Sequence, residues 1–292
     1  GLERFNANRQ LMGLAPVSRS AKIDNAAQGH SKYQARNDTI THDQISSKPD
    51  FTGVYLLDRL TQANYKFEPN ESYAYGEVIS KTDHTDGAAA AEALITAIYH
   101  RFVIFEPMFK EAGAGATSTT NGKAYFTTDF AASNGFGSGL VSGNRVAVYP
   151  YDTQQQVPTS FDHSSETPDA FPKEQFPQFF KVLVGYPISI HTNITECITT
   201  SEFTVRSHSD GTLLPTRLLT YDADIRPVND PDPHPTPLSA AAIVPLSALT
   251  RNTQYDVSFT GSISAAKNPN DPSQGCVGNG TSFTHAWSFT TQ

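Results

Sequence analysis

The sequence predicts an α+β domain followed by an all-β domain, on three observations. Over residues 1–112 apolar side chains recur at helical steps of three and four. After Gly113 that period gives way to short β-branched and aromatic segments split by Pro, Gly, Asn and Asp. Between the two regimes, residues 133–143, "SNGFGSGLVSG", are rich in Gly and Ser and read as a linker. The expected organisation is therefore a domain over 1–132, the linker 133–143 and a domain over 144–292. A chain of 292 residues is long enough to bury a core in each.

In the first domain, Ile23, Ala26, Ala27, His30 and Tyr33 mark one face of a helix starting near Ser18 or Ser20, either of which can cap it. Val54, Leu57 and Leu60 repeat the pattern more briefly. Asp86 is placed to cap a helix over Ala88–Ile98, on which Leu94 and Ile98 share the buried face. "GAGAGAT" and "KAYFTTDFA" read as strands joined by a turn at Asn121-Gly122. In the second domain "RVAVYPYD", "YPISIHTN", "SEFTVRSH", "LPTRLLTYD", "AAIVPLS", "QYDVSFTGSI" and "THAWSFTT" read as strands of an all-β sandwich. The Pro/Asp run 227–237 is incompatible with a central strand and reads as an exposed loop.

A formal net charge of -8 offers no electrostatic case for nucleic acid or an anionic membrane. No apolar run approaches the roughly 18 residues that a membrane-spanning helix needs. The chain opens at Gly1 already inside a predicted helix, as expected where a leader has been removed. Its two cysteines, Cys197 and Cys276, form an even pair in a Thr/Ser/Asn-rich chain, which favours a disulfide and an oxidising compartment. Two unpaired buried thiols are the alternative. A bond between them would be worth roughly 4 kcal/mol by the loop-entropy account.

Seven segments of the first domain, in order, carry a resemblance. "FNANRQLMGLAPV", "AAQGHSKYQARND", "ITH", "TGVYLLDRLTQANY", "YGEVIS", "IYHRFVIFEPMFKEAGAG" and "AYFTTDFA" resemble the segments of the CAP superfamily, the SCP-like secreted proteins related to plant pathogenesis-related proteins, in their bacterial form. The resemblance implies an α-β-α sandwich with a His/Glu cleft that holds a divalent metal in some members. By position it makes His42 and His100 the cleft histidines and Glu77 the cleft glutamate, with His42 and His100 as ligands of weakly bound Zn²⁺ or another divalent metal. His100 is expected in the last turn of the helix that begins after Asp86, at the negative end of the helix dipole. The sequence departs from the family where Val78 replaces the Asn of "GEN", where Leu94 replaces a tryptophan, and at Ala97, the slot of a second glutamate. The second domain resembles bacterial Ig-like modules, with Trp287 in the core.

His30 reads as a core histidine, and His84 as a solvated loop residue. Asp222, Asp224, Asp230 and Asp232 could attract Ca²⁺ but lack the EF-hand spacing, and a solvated loop is the better reading. No "GxSxG", "HExxH" or P-loop occurs, and neither cysteine sits in a nucleophile's context. The leading expectation is a secreted or cell-surface protein that binds a protein, lipid or cell-envelope component in the His42, Glu77, His100 cleft. Two alternatives stand beside it. In one, a metal-dependent hydrolase uses Glu77 as general base; the missing second glutamate argues against catalysis. In the other, the chain is an adhesive protein with a vestigial cleft.

Overall fold

The structure, a computed structural model, describes residues 1–136, 139–226 and 233–292. In chain order the elements are α1 (Leu2–Leu11), β1 (Ser18–Arg19), α2 (Ala21–Asn37), α3 (Leu56–Gln62), β2 (Ala74–Thr82), α4 (Gly87–Thr96), α5 (Ile98–Ile104), β3 (Glu111–Ser118) and β4 (Ala124–Ala132). Ten strands follow: β5 (Ala147–Tyr149), β6 (Gln154–Val157), β7 (Ser160–Phe161), β8 (Val184–Gly185), β9 (Ile188–His191), β10 (Glu196–Ser207), β11 (Thr216–Leu219), β12 (Ala240–Pro245), β13 (Gln254–Ala265) and β14 (Thr281–Thr291). The chain divides into two compact units. One comprises Gly1–Gln10, Leu14–Ile95 and Val103–Gly139, the other Leu11–Gly13, Thr96–Phe102 and Leu140–Gln292.

The first unit is built on a sheet of order β1-β3-β4-β2. Its central strand β4 is buried at every position, so the sheet is covered on both faces. That is why "AYFTTDFAA" shows no clean alternation of apolar and polar residues. On one face Phe5 of α1 meets Phe126 and Phe130, ring centroids 6.4 and 6.1 Å away. On the other lies α2, whose Ser31 hydroxyl reaches Gly115 O and Thr127 Oγ1, both at 3.0 Å. The alternation in "GAGAG" supplies the track for this helix. A Cβ on Gly113 would fall 2.1 Å from Asp24 N, and one on Gly115 2.3 Å from Gln28 Cα. Gly115→Ala should therefore destabilise the protein by about 1–3 kcal/mol. Gly87→Ala, where the added methyl finds its nearest atom at 3.6 Å, should instead raise Tm slightly, because alanine is the better helix former. Thermal unfolding of the two variants checks the contrast.

The turn at Asn121-Gly122 forms, with Gly122 at φ 84°, and Asp86 accepts the backbone N–H of Ala88 and Ala89 at 2.8 and 3.3 Å. The helix expected to run unbroken to Ile98 instead divides at Ala97 into α4 and α5. The first turn of α5 is thereby left with new N–H groups to satisfy.

The second unit holds two four-stranded sheets, β10-β13-β14-β6 and β11-β12-β9-β5, and a two-stranded pair, β7-β8. All seven segments read as strands from the sequence contribute one; β6, β7 and β8 were not anticipated. Cys197 and Cys276 are joined in a disulfide, and Trp287 is buried beside Phe203. One hydrophobic core combines Ile98, Tyr99 and Phe102 of α5 with Ala240, Ala242 and Val244 of β12. The alanines of "SAAAIVP" leave room there for a helix. Arg101 is fully buried with its guanidinium 4.9 Å from the ring centroids of both Tyr149 and Tyr186, and it donates to Pro187 O at 2.6 Å. Asp224, read from the sequence as part of a solvated loop, is instead buried: Tyr99 and Thr236 donate to it at 2.8 and 3.0 Å, and Arg217 pairs with it at 3.0 Å. A carboxylate so enclosed needs those donors. Asp230 and Asp232 lie outside the described residues.

Candidate functional site

The face of α2 that the periodicity marks does more than fill a core. His30 Nε2 donates to Thr41 O at 2.8 Å, and His30 Nδ1 accepts from Gln44 Nε2 at 2.9 Å. The Tyr33 hydroxyl accepts from Ile45 N at 2.9 Å. These bonds pin the loop after α2 and so position His42 between the pinned residues. His42 Nδ1 donates to Glu77 Oε1 at 2.8 Å, while its ring stays 55% exposed. Arg59 of α3, buried, donates from Nη2 to Glu77 Oε2 at 2.7 Å and from Nη1 to His42 O at 2.8 Å. The guanidinium thus ties the carboxylate and the histidine's own backbone into one unit. Across the sheet Glu77 of β2 is paired in register with Asp129 of β4.

Charge in this cluster is unevenly held. Burial alone would raise the Glu77 pKa, but the His42 bond, followed by the electrostatic pull of His30, Arg59 and His42, more than reverses it and holds it at about 2. Burial, and then the Glu77 charge, push Asp129 well above the ordinary carboxylate range. Burial lowers His30 to about 4. The folded protein therefore disfavours a proton on His30. The stability that the neutral ring contributes is fully present above the unfolded value near 6.5, and it is lost as pH falls from there toward 4. The loss amounts to at most about 3 kcal/mol. Urea unfolding at pH 7 and pH 4.5 should show this decline in wild type and a shallower one in His30→Gln.

His100 has a different setting from the one expected. It belongs to the second unit and to the first turn of α5, the positive rather than the negative end of a helix. Glu166, fully buried, accepts the backbone N–H groups of Ile98, Tyr99 and His100 at 2.9, 2.6 and 3.1 Å, and His100 Nδ1 at 3.0 Å. The structure thus brings His42 and Glu77 together and gives His100 a carboxylate of its own. Glu92, on α4, pairs with Arg4.

Three participants were missed from the sequence. Asp129, the lone charge in a buried strand, was a usable signal. Arg59 lay within a quoted motif but no role was assigned to it. Glu166, in the loop "FDHSSETPDAF", carried none.

No three of the described His, Cys, Asp and Glu side chains form a group that could hold a metal ion. Both His30 nitrogens and both Glu77 oxygens are already engaged. As they stand, the residues around His42 do not compose a metal's donor set.

A sheet covered by helices on both faces, with an imidazole and a guanidinium converging on one buried carboxylate, defines an α-β-α domain with a histidine–glutamate centre. Residues 2–130 match the model of the family described as CAP, the cysteine-rich secretory protein family. That stretch is a CAP domain. Among solved structures the chain is similar to an extracellular protein containing an SCP domain from Bacillus anthracis, with 25% identity and a TM-score of 0.36, over 43% of this chain and 37% of that one. It thus spans little more than a third of the Bacillus protein. It is also similar to an outer surface protein of Borrelia burgdorferi, with 14% identity, TM-score 0.38, 46% of this chain and 90% of that one. A third is venom allergen-like protein 4 of Schistosoma mansoni, with 9% identity, TM-score 0.31, 49% of this chain and 92% of that one. No curated protein matches the sequence. Among the described residues no helix is long and apolar enough to cross a membrane.

Proposed function

We propose that the chain acts outside the cell as a binding protein. In this reading its CAP domain presents His42, over the Glu77–Arg59 pair, to a protein, lipid or cell-envelope ligand. The observation that carries it is the double engagement of Glu77, 2.8 Å from His42 and 2.7 Å from Arg59. A carboxylate held at about 2 is a weak base, which favours binding over the hydrolase reading. The exposed ring of His42 is the group free to meet a ligand. No step of this reading runs through a metal.

Secretion is supported by the disulfide, which persists in oxidising compartments, and by the family's secretory description. The second unit is proposed as an Ig-like spacer or second contact surface. Its two four-stranded sheets and buried Trp287 support that assignment.

The test is binding of the whole chain to phospholipid vesicles and to washed cell-envelope fractions, with His42→Ala alongside and a calorimetric Zn²⁺ titration at pH 7.5. Binding that falls at least tenfold in His42→Ala, without a matching Zn²⁺ site, is the expected result. Turnover of peptide or ester substrates that depends on Zn²⁺ and on Glu77 would replace this reading with hydrolysis.

A further inference from the structure

Asp129 is the one buried carboxyl of the centre that the binding reading leaves unused. It is fully buried, and among the described residues neither of its oxygens has a hydrogen-bond donor. Its in-register partner across the sheet is Glu77, which keeps both side chains on one face, the face that carries α2. On its other side in the sheet stands Gly113 of β3, which has no side chain to offer. The charged and titratable groups converging on the pair are Arg59 from α3, His30 from α2 and His42 from the loop that follows it. Of these, Arg59 and His42 both donate to Glu77.

Two carboxylates buried on adjacent strands do not both ionise against a single guanidinium. The one that holds the donors keeps the charge. The other stays an acid, and as an acid it gains the partner it otherwise lacks, because its O–H can donate to Glu77.

We infer that Asp129 is a neutral acid in the working protein and a positioning residue. It donates its proton in a hydrogen bond to Glu77, holds that carboxylate against Arg59 and His42, and leaves the floor beneath His42 with no net charge. Glu77 contributes one negative charge and Arg59 cancels it. His30, with Nε2 donating and Nδ1 accepting, is neutral. The ligand class that suits such a floor is an uncharged hydrogen-bonding group, such as an amide or hydroxyl, rather than a divalent cation. The ligand class rests on the reading of His42 as the ligand-facing group. The state of Asp129 does not, so the two can fail separately.

Carboxyl ¹³C NMR of the full chain at pH 7 tests it, with Asp129→Asn used to assign the resonance that disappears. The expected result is Asp129 Cγ at the position of a protonated acid and Glu77 Cδ at that of a carboxylate. Two carboxylate shifts, or a protonated Glu77, would overturn the inference.

Asp129→Asn retains an N–H donor toward Glu77 and should leave the Glu77 carboxyl and His42 ring shifts close to wild type. Asp129→Leu removes the donor while keeping the branched heavy-atom outline and should move both. Equal spectra in the two variants would reduce Asp129 to a packing residue. Should Asp129→Leu not fold, the wild-type shift and the Asn variant still decide the protonation. Millimolar Zn²⁺ or Mg²⁺ should leave the Asp129 shift where it is. Conversion to the carboxylate position on adding metal would show that the floor is a cation site after all.

Discussion

Arg59→Met is expected to cost about 3–5 kcal/mol, the usual penalty when one member of a buried ion pair is removed. Arg59 donates to Glu77 Oε2 at 2.7 Å and to the carbonyl oxygens of His42 and Val54 at 2.8 and 3.3 Å. Its loss leaves Glu77 buried without a countercharge, with His42 and the Asp129 O–H as its remaining donors. The pairing can be separated from the packing by the double variant Arg59→Met/Glu77→Leu. Removing both charges should restore at least half of the lost stability, because the stranded carboxylate dominates the penalty. Urea unfolding of the two variants reads this directly. A double variant no more stable than the single one would place the cost in the lost bonds to the loop carbonyls.

Glu166→Ala should cost a similar amount, about 3–5 kcal/mol, for a different reason. No charge is stranded; instead three backbone N–H groups and one ring N–H lose the acceptor they share, at about 1–3 kcal/mol for each donor that finds no water. Glu166→Gln keeps one oxygen as acceptor and should lose about half as much. Hydrogen exchange localises the effect. The amides of Ile98 and Tyr99 should exchange much faster in Glu166→Ala, while those of the β13–β14 ladder follow only the global loss. Unchanged protection at Ile98 and Tyr99 would mean that the carboxylate is not what caps α5.

These two residues mark where the sequence stopped being readable. The face Ile23, Ala26, Ala27, His30 and Tyr33 was visible in the periodicity, and every member of it is buried. The strand pair around Asn121-Gly122, the seven later strands, the disulfide and the CAP segments were visible too. Each is a local signal, or an ordered series of local signals. His42 and Glu77 were reached through the resemblance, not through their spacing, and the structure joins them by a 2.8 Å bond. The reason for that bond, a loop pinned by His30 and Tyr33 and a guanidinium from α3, needed coordinates.

By itself the sequence determined the periods. It set which residues can share a helix face and where the chain must turn. Tertiary structure decided partnership. It divided a helix at Ala97, gave residues 96–102 to the second unit, inserted Arg101 between Tyr149 and Tyr186, and brought Glu166 to His100 and Asp129 to Glu77. A period is written within a few residues because backbone geometry repeats. The partner of a buried charge can come from any element that passes within hydrogen-bonding reach, so no fixed spacing records it.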